Sequence, residues 1–398
     1  MRGRWRTAAP LLALSLLAGC TASPAPKSKA SPSASSGVAA AQTPTTAPAV
    51  VGVATLSEGY CRCATLHLIS LGGDQVGSVT FDRGVLPPIA SGANGIYYVL
   101  GDQLMRLGDN GTTEPVGTVA QPPSAPGASV GSPPEQGSLA MAPGSTEWGY
   151  LQTISARPTQ TKQLWLGEAN RAPRLLLSSE ESPTSPSSEF PNGWNYQLLG
   201  WSNGSLVLAQ VPSGSSTFAS TALEVSLVNP QTGVLTLLAN SQNCPISAVA
   251  GNGEYACFQQ GGGQATELVT GVAGITTGAW SLPPGTGYGG ALFEPSGAQL
   301  LFSQCAGCGS APNPAFLASQ MELLDSATGS IQPVGSAGLL ADAWLADGVV
   351  VATQYSQLDY APPSAPPLSE VVLFDPANDQ LTTLTDNTTS QFVGLASA

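Results

Sequence analysis

Cysteine is the residue type with the most defined chemistry in this sequence of 398 residues, which contains seven. Cys20 stands apart near the N-terminus. The remaining six are an even number, which is typical of disulfide bonds in an exported protein. These six candidates are Cys61, Cys63, Cys244, Cys257, Cys305 and Cys308. As reduced thiolates they would suit a metal ion, but no histidine accompanies them, so we expect disulfides and no metal.

The spacing of the cysteines favours some pairings over others. Cys244 and Cys257 flank one predicted hairpin, and we expect them to be bonded to each other. The run Cys305-Ala-Gly-Cys308 would close a local loop. Cys61 and Cys63 occupy alternate positions of a strand, about 6 to 7 Å apart between Cα atoms. They bridge either to one another, with distortion, or to another part of the chain.

Nucleophilic serine chemistry has little support in the sequence. His67 is the only histidine, and in the alternating stretch 65–68 we expect its ring to face solvent or to be hydrogen-bonded. The stretch Gly200-Trp-Ser-Asn-Gly204 matches the G-x-S-x-G nucleophile elbow. That motif requires a following helix and a later histidine, whereas a β-run follows here. We therefore predict a hairpin at this position.

Paired carboxylates are the remaining catalytic option. The available acids include Asp102, Glu147, Glu254, Glu294, Asp342 and Asp347, and the sequence alone places no two of them at a catalytic separation. The sequence contains no glycine-rich nucleotide motif and no calcium loop. We predict no cofactor and no enzymatic activity. The alternative is a carboxylate-dependent glycan hydrolase or lyase acting in a central funnel.

Aromatic side chains provide the remaining binding signal. Most tryptophans recur near predicted strands, where we expect them to pack: Trp148, Trp165, Trp201, Trp280 and Trp344. Phe190, Trp194 and Tyr196 instead cluster beside Pro191 in a predicted loop. We predict that these three residues stack against a carbohydrate or peptide ligand.

The composition excludes several classes of protein. The 46 Gly and 34 Pro make up about a fifth of the chain, against a usual ~12%, which argues against a helical bundle. Charged residues are 9% of the chain, against a usual ~25%, which excludes a coiled coil. The net charge of −13 makes nucleic acid an unfavourable partner.

The N-terminus has the pattern of an export signal. Three arginines in the first six residues precede the apolar run Ala8–Leu17, which is too short to remain in a membrane as a spanning helix. The run ends in Leu17-Ala18-Gly19-Cys20, which resembles the lipobox of bacterial lipoproteins. This resemblance implies that residues 1–19 are a signal peptide. It also implies that Cys20 is lipidated and anchors the protein to the outer side of the cell membrane.

The next segment, residues 20–49, consists largely of Ser, Ala, Pro, Thr and Lys and has no aromatic residue. Such a composition buries too little apolar surface to offset the entropy of the chain, so we predict a disordered tether. Proline extends such a chain, which suits a spacer between a membrane and a folded domain.

From residue 50 to residue 398, short β-rich runs are separated by turn residues, which predicts one all-β domain. A turn that ends in Gly before an apolar strand recurs as Ala93-Asn-Gly95, Ser202-Asn-Gly204, Gly251-Asn-Gly253, Pro295-Ser-Gly297 and Ala346-Asp-Gly348. The last four of these glycines are 49, 44 and 51 residues apart. A second hairpin lies between successive turns, so each period holds about four strands.

These turns resemble the repeats of bacterial TolB-like or WD40-like proteins. Glu294–Gly297, followed by Asp325-Ser-Ala-Thr-Gly329, is the copy nearest to that pattern. The resemblance implies a β-propeller. The length predicts about seven four-stranded blades, with six as the alternative. We expect the C-terminal strand Gln391–Ser397 to pair into the first blade and close the ring.

Together these observations predict a membrane-anchored extracytoplasmic lipoprotein. Its propeller is expected to be a non-catalytic interaction module for a protein or a cell-envelope ligand, and the loops of the propeller are expected to carry recognition.

Overall fold

The computed structural model of the chain describes 13 segments: residues 50–58, 64–81, 87–119, 137–156, 159–181, 194–212, 224–240, 244–261, 264–283, 286–306, 317–356, 368–385 and 389–397. The predicted signal peptide and tether lie outside these residues. The 28 regular elements that the described residues form are all β-strands, as the turn-rich sequence predicted. No helix in the described segments is long and apolar enough to cross a membrane.

The strands follow one another through short turns. The first eleven are β1 (Val50–Glu58), β2 (Ala64–Ser70), β3 (Gln75–Phe81), β4 (Ile89–Ala93), β5 (Gly95–Leu100), β6 (Gln103–Gly108), β7 (Thr113–Thr118), β8 (Ser138–Met141), β9 (Glu147–Ala156), β10 (Thr159–Glu168) and β11 (Arg174–Glu181). The next eight are β12 (Trp194–Ser202), β13 (Ser205–Pro212), β14 (Glu224–Val228), β15 (Leu235–Asn240), β16 (Ile246–Val249), β17 (Glu254–Gly261), β18 (Gln264–Val272) and β19 (Ile275–Ser281). The last nine are β20 (Thr286–Phe293), β21 (Gln299–Ala306), β22 (Ser319–Asp325), β23 (Ile331–Val334), β24 (Leu339–Trp344), β25 (Val350–Ser356), β26 (Leu368–Asp375), β27 (Gln380–Thr383) and β28 (Ser390–Ser397).

In the described part of the chain these strands form six sheets. Sheet A has eight strands in the order β3-β2-β1-β28-β4-β5-β6-β7. Sheets B (β8–β11), C (β12–β15), D (β16–β19), E (β20–β23) and F (β24–β27) each have four strands in sequence order. Neighbouring strands pair antiparallel, except where β28 meets β4. Each four-stranded sheet is therefore one meander, as the repeat in the sequence predicted.

The C-terminal strand β28 lies in the same sheet as the first strands of the domain. It pairs antiparallel with β1, where Val53 is opposite Leu395. It also pairs parallel with the end of β4, where Ala396 is opposite Gly92. The Asn94 backbone N–H donates a hydrogen bond of 2.7 Å to the carbonyl of Ser397. The last strand thus joins the β1–β3 half of sheet A to the β4–β7 half.

Turn chemistry explains the recurring hairpins. Gly204 and Gly348 have φ values of 70° and 85°, a backbone conformation that side chains with a Cβ disfavour. In the second hairpin of sheet E, the Asp325 Oδ1 atom accepts hydrogen bonds from the backbone N–H groups of Ala327 and Thr328. Asn229 makes the equivalent two bonds in sheet C. Short polar side chains thus close these turns locally, which is why the pattern is visible in the sequence.

The core consists of apolar clusters between neighbouring sheets. Phe258 of sheet D packs with Tyr288 and Phe302 of sheet E, and further clusters join A to B, B to C, C to D, and E to F. Val53 of β1 packs with Val351 of sheet F. A last cluster lies between the two halves of sheet A. Four-stranded meanders that pack face to face in this way form a β-propeller.

Candidate functional site

A cavity lies between β28, β4, β8 and β12. Its volume is about 490 Å³, within the usual range for ligand sites. β28 and β4 are the two middle strands of sheet A, and β8 and β12 are edge strands of sheets B and C. We call this space the axial cavity. Its apolar lining includes Met141, Leu199, Val393 and Leu395. None of the described residues that line it is Asp, Glu, Lys, Arg or His.

Two β-bulges shape the axial cavity. In β12 the pairing moves from Leu198 to Gly200, which leaves Leu199 without a partner on β13. The Leu199 side chain is 44% exposed. In β28 the pairing moves from Phe392 to Gly394, so Val393 is the extra residue. A bulge changes the direction of a side chain relative to the sheet, and both bulged residues line this cavity.

Hydrogen bonds between sheets hold the wall of the axial cavity. The Leu198 backbone N–H donates to Ser138 Oγ over 2.8 Å, which links sheet C to sheet B. The Leu395 N–H donates to Ser91 Oγ over the same distance, which links β28 to β4. The Trp201 indole N–H donates to the carbonyl of Ala140 over 3.2 Å. These bonds connect separate strands that line the cavity.

The G-x-S-x-G stretch is part of this structural frame. Residues 200–202 end β12, and Asn203 and Gly204 form the turn of the hairpin with β13, as the sequence predicted. Ser202 is 2% exposed, and its hydroxyl donates to the carbonyl of Ala250 in the neighbouring sheet. The hydroxyl therefore links sheets C and D.

The structure describes only part of the predicted aromatic binding group. Phe190 lies outside the described residues, and Trp194 begins β12 with a side chain that is not described. Tyr196 is half-buried in β12, where its ring packs against the cluster between sheets B and C. The Lys162 ammonium lies 4.8 Å from the centre of that ring. Tyr196 therefore belongs to a strand between two sheets and not to a loop, and ligand stacking by the group stays a prediction.

The cysteines among the described residues are disulfide-bonded. Cys244 and Cys257 are bonded, with Cα atoms 5.2 Å apart, as the hairpin spacing predicted. Cys305 is also disulfide-bonded, and its predicted partner, Cys308, lies outside the described residues. Cys20, Cys61 and Cys63 lie outside them too. The described residues contain no group of three or more His, Cys, Asp or Glu side chains that would hold a metal ion.

Acidic residues lie away from the axial cavity. Glu254 and Glu294 line a second cavity of about 340 Å³ between the turns that follow β16 and β20. Asp342 lies at a bulge in β24, where burial raises the pKa of its carboxyl group to about 7. Its Oδ2 atom accepts a hydrogen bond of 2.6 Å from the Thr353 hydroxyl. The carboxylate pair that the glycan-cleaving alternative requires is thus not found in the described wall of the axial cavity.

A polar chain on sheet A was not anticipated as a site. Ser57 Oγ and His67 Nε2 are 3.0 Å apart, and His67 Nδ1 and Gln75 Oε1 are also 3.0 Å apart. The sequence predicted a hydrogen-bonded or solvent-facing His67 but named neither partner. These partners depend on the register of three strands, and short-range alternation carries no information about register.

Sequence comparison assigns no family. No family model matches the chain, and no curated protein sequence is similar to it.

Solved structures with a similar arrangement of strands are β-propellers. A TolB-like protein from Agrobacterium tumefaciens is 12% identical, with a TM-score of 0.38 over 72% of this chain and 88% of that one. An oligogalacturonate lyase from Vibrio parahaemolyticus is 10% identical, with a TM-score of 0.49 over 83% and 92%. A prolyl endopeptidase is 11% identical, with a TM-score of 0.45, and the match covers 83% of this chain and 46% of that one. This chain therefore spans about half the length of that endopeptidase.

The fold class, a β-propeller, follows from the four-stranded meanders that pack face to face. A TolB-like protein is among the structures with a similar arrangement of strands, and at 12% identity that likeness concerns the fold and not the activity. The prediction that the chain is not an enzyme is wrong. It relied on the scarcity of catalytic residue types in a propeller, whereas a lyase and an endopeptidase are among the similar structures.

Proposed function

We propose that this protein is a lipid-anchored binding module whose axial cavity receives an uncharged apolar group of a protein or a cell-envelope ligand. The observation that carries the proposal is the axial cavity itself: an opening of about 490 Å³ between four strands, with apolar and small residues along its wall. Preformed apolar cavities bind ligands without the cost of ordering a flexible site.

The chemistry of the cavity wall limits the class of ligand. A charged group placed there would lose its hydration and find no described partner of opposite charge, which is unfavourable. An uncharged apolar group would displace water from Leu199 and Val393, which is favourable. We therefore propose a protein segment or an envelope component that presents such a group, rather than a polyanion or a cation.

The proposed architecture around the cavity is a ring of seven blades. If sheet A is divided between β28 and β4, the described strands fall into seven groups of four. The two pairings of β28, with β1 and with β4, support a ring closed by the C-terminal strand. Packing of Val53 against sheet F supports contact between the last blade and the first. A truncated chain ending at residue 388 should then lose most of its cooperative thermal unfolding transition; an unchanged melting temperature would contradict closure.

The proposed anchor is a lipid on Cys20. It is supported by the basic start, the apolar run and the Leu-Ala-Gly-Cys sequence at residues 17–20. Residues 20–49 would then hold the propeller away from the outer face of the membrane. Cys20→Ala should release the protein from the membrane fraction and abolish labelling by a fatty-acid analogue in growing cells. Equal labelling of the wild type and this variant would contradict lipidation.

A matched pair of substitutions tests the axial cavity. Leu199 is 44% exposed and lines the cavity, whereas Leu381 is 45% exposed on the outermost strand of sheet F. Leu199→Arg places a charge in the opening, and Leu381→Arg places the same charge on the rim of the propeller. Crosslinking in intact cells should capture a partner with the wild type and with Leu381→Arg, and lose it with Leu199→Arg. Equal capture by both variants would exclude the axial cavity as the binding site.

A further inference from the structure

The only histidine of the chain lies between two hydrogen-bonding side chains on sheet A. Ser57 Oγ is 3.0 Å from His67 Nε2, and Gln75 Oε1 is 3.0 Å from His67 Nδ1. With the Gln75 oxygen accepting, Nδ1 carries the proton. Nε2 then presents its lone pair to the Ser57 hydroxyl. This is the arrangement of a serine nucleophile, a general base and a group that orients the base.

The register of β1, β2 and β3 builds this arrangement. Thr55 is opposite His67 and Ser57 is opposite Thr65, so Ser57 and His67 are diagonal neighbours on one face. On the other side, a register shift between β2 and β3 places Gln75 opposite Ile69. Ile69 and His67 are two residues apart on β2, so Gln75 also projects to this face. The pairing of three strands therefore brings together side chains that lie 8 and 10 positions from His67 in the sequence.

A second observation points to this face. Thr55 is fully buried, and its Oγ1 atom has no hydrogen-bond partner among the described residues. An unsatisfied buried hydroxyl costs free energy, and such groups are typical of sites that complete their bonding with a further molecule. Thr55 is directly opposite His67 and two residues before Ser57 on the same strand. A hydroxyl donor without a partner thus lies beside the base and the nucleophile.

We propose that Ser57 is an acyl-accepting nucleophile and that His67 is its general base, with Gln75 as the residue that positions the His67 ring. As Ser57 Oγ bonds to the carbonyl carbon of an ester, its proton passes to His67 Nε2. The same proton then goes to the alcohol oxygen as the carbon–oxygen bond of the ester breaks. Water, deprotonated by His67, releases the acid and restores Ser57. The net reaction converts an ester and water into an acid and an alcohol.

The surroundings limit the substrate to small uncharged esters. Ser57 is 7% exposed, so only a small acyl group reaches its hydroxyl. Thr65 on β2 and Ser390 on β28 lie directly opposite Ser57, Thr55 is two residues before it on β1, and Thr65 in turn is hydrogen-bonded to Thr80. These groups are neutral and offer no attraction to a charged substrate. The site is on β1–β3 and shares no described residue with the axial cavity. The failure of the proposed esterase site would therefore leave the proposed binding role of the axial cavity unaffected.

Among the described residues, the hydrogen-bond partners of His67 are Ser57 and Gln75 and not a carboxylate. This predicts a slow reaction that one substitution should accelerate. Glutamine orients the ring but carries no charge to stabilise the imidazolium that forms during the reaction. Gln75→Glu would supply that charge. We expect it to increase the rate of acylation by at least about tenfold near neutral pH. A purely structural cross-strand chain would show no such increase, whatever the change in stability.

The test is covalent labelling of the intact protein with a small fluorophosphonate, with the adduct located by peptide mass spectrometry. We expect an adduct on Ser57 in the folded wild type and none on Ser57 after heat denaturation. His67→Ala should reduce the labelling rate at least about a hundredfold. Hydrolysis of p-nitrophenyl acetate should follow the same order among the variants.

A control variant separates chemistry from folding. Thr80→Ala removes an exposed hydroxyl from β3 next to the site, and it should leave both labelling and melting temperature unchanged. If His67→Ala does not fold, the location of the adduct in the wild type and the rate increase in Gln75→Glu still decide the question. No Ser57 adduct in the folded protein, or labelling that is insensitive to residues 67 and 75, would overturn the proposal.

Discussion

The Thr353 hydroxyl donates a hydrogen bond of 2.6 Å to the Asp342 carboxyl across the first two strands of sheet F. Asp342 is the extra residue of a bulge in β24, because the pairing with β25 moves from Ala341 to Ala343. Burial raises its pKa from 3.8 to about 7, and the bond from Thr353 lowers it in part. Burial also raises the pKa of Tyr355, and the Asp342 charge adds to that increase.

This carboxyl group should make stability depend on pH with an unusual sign. The folded-state pKa is raised, so between about pH 4 and pH 7 unfolding releases a proton from Asp342. The free energy of unfolding therefore falls as pH rises through that window, by at most about 1.4 kcal/mol per pH unit from this group. It levels off above pH 7. Asp342→Asn should remove this contribution, so urea unfolding should show the variant gaining stability relative to the wild type from pH 5 to pH 7.5.

Two controls accompany that measurement. Thr353→Val removes the bond that favours the charged form, and it should extend the decline in stability to higher pH. Asp375 has the opposite behaviour, because hydrogen bonds from Asn378 and from the Ala377 backbone lower its pKa. Asp375→Asn should destabilise the protein at neutral pH and lose that effect as the pH falls through the pKa of Asp375. A constant difference between Asp342→Asn and wild type across pH 5 to 7.5 would contradict the assignment.

The Cys244–Cys257 disulfide should stabilise sheet D by limiting the unfolded chain. It closes a loop with a sequence separation of 13 residues, for which the expected contribution is about 3 kcal/mol. The double variant Cys244→Ser with Cys257→Ser should unfold at correspondingly lower urea concentration in the absence of reductant. A reductant cannot replace the double variant in this experiment, because it would also reduce the disulfide bond of Cys305. Equal unfolding midpoints for the variant and the wild type would show that the bond contributes nothing.

The hairpins were predictable from the sequence because their determinants are local. The Asx turns at Asn229 and Asp325 and the positive φ of Gly204 depend on two to four consecutive residues. The Cys244–Cys257 pair was accessible for the same reason, since both residues flank one hairpin. Local chemistry repeated at intervals of 44 to 51 residues is sufficient to indicate four-stranded meanders and therefore a propeller.

The candidate sites were not predictable because they depend on register. Leu199 and Val393, which line the axial cavity, are each the extra residue of a bulge, and nothing in the composition of β12 or β28 marks that residue. The contacts of His67 likewise depend on the pairing of three strands. A shift of one residue would move its side chain to the other face of the sheet.

Gly167 is required by the packing of Trp148, which is fully buried. A Cβ atom at position 167 would lie 1.9 Å from Trp148 Cζ2, far inside van der Waals contact. Gly167→Ala should therefore destabilise the protein by about 1 to 3 kcal/mol or more, because the indole or the strand must move. Gly117 provides the matched control: its Cβ would lie 3.9 Å from the same indole. Gly117→Ala should leave the thermal midpoint within a degree or two, and similar losses in both variants would contradict the steric explanation.

The indole N–H groups of two tryptophans connect neighbouring sheets. Trp201 donates to Ala140 over 3.2 Å between sheets C and B, and Trp344 donates to Leu292 over 3.3 Å between sheets F and E. Trp201→Phe and Trp344→Phe each leave a carbonyl without this donor, so each should cost about 1 kcal/mol beyond the loss of ring area.

Trp165 separates the effect of the hydrogen bond from the effect of ring size. Its Nε1 atom is buried and has no hydrogen-bond partner within the part of the chain that the structure describes. Trp165→Phe removes an unsatisfied donor, which should offset the loss of ring area and leave the free energy of unfolding nearly unchanged or slightly higher. Urea unfolding of the three variants measures the difference directly. Equal losses in all three would mean that the indole hydrogen bonds add nothing to the association of the sheets, and that packing area alone holds each pair together.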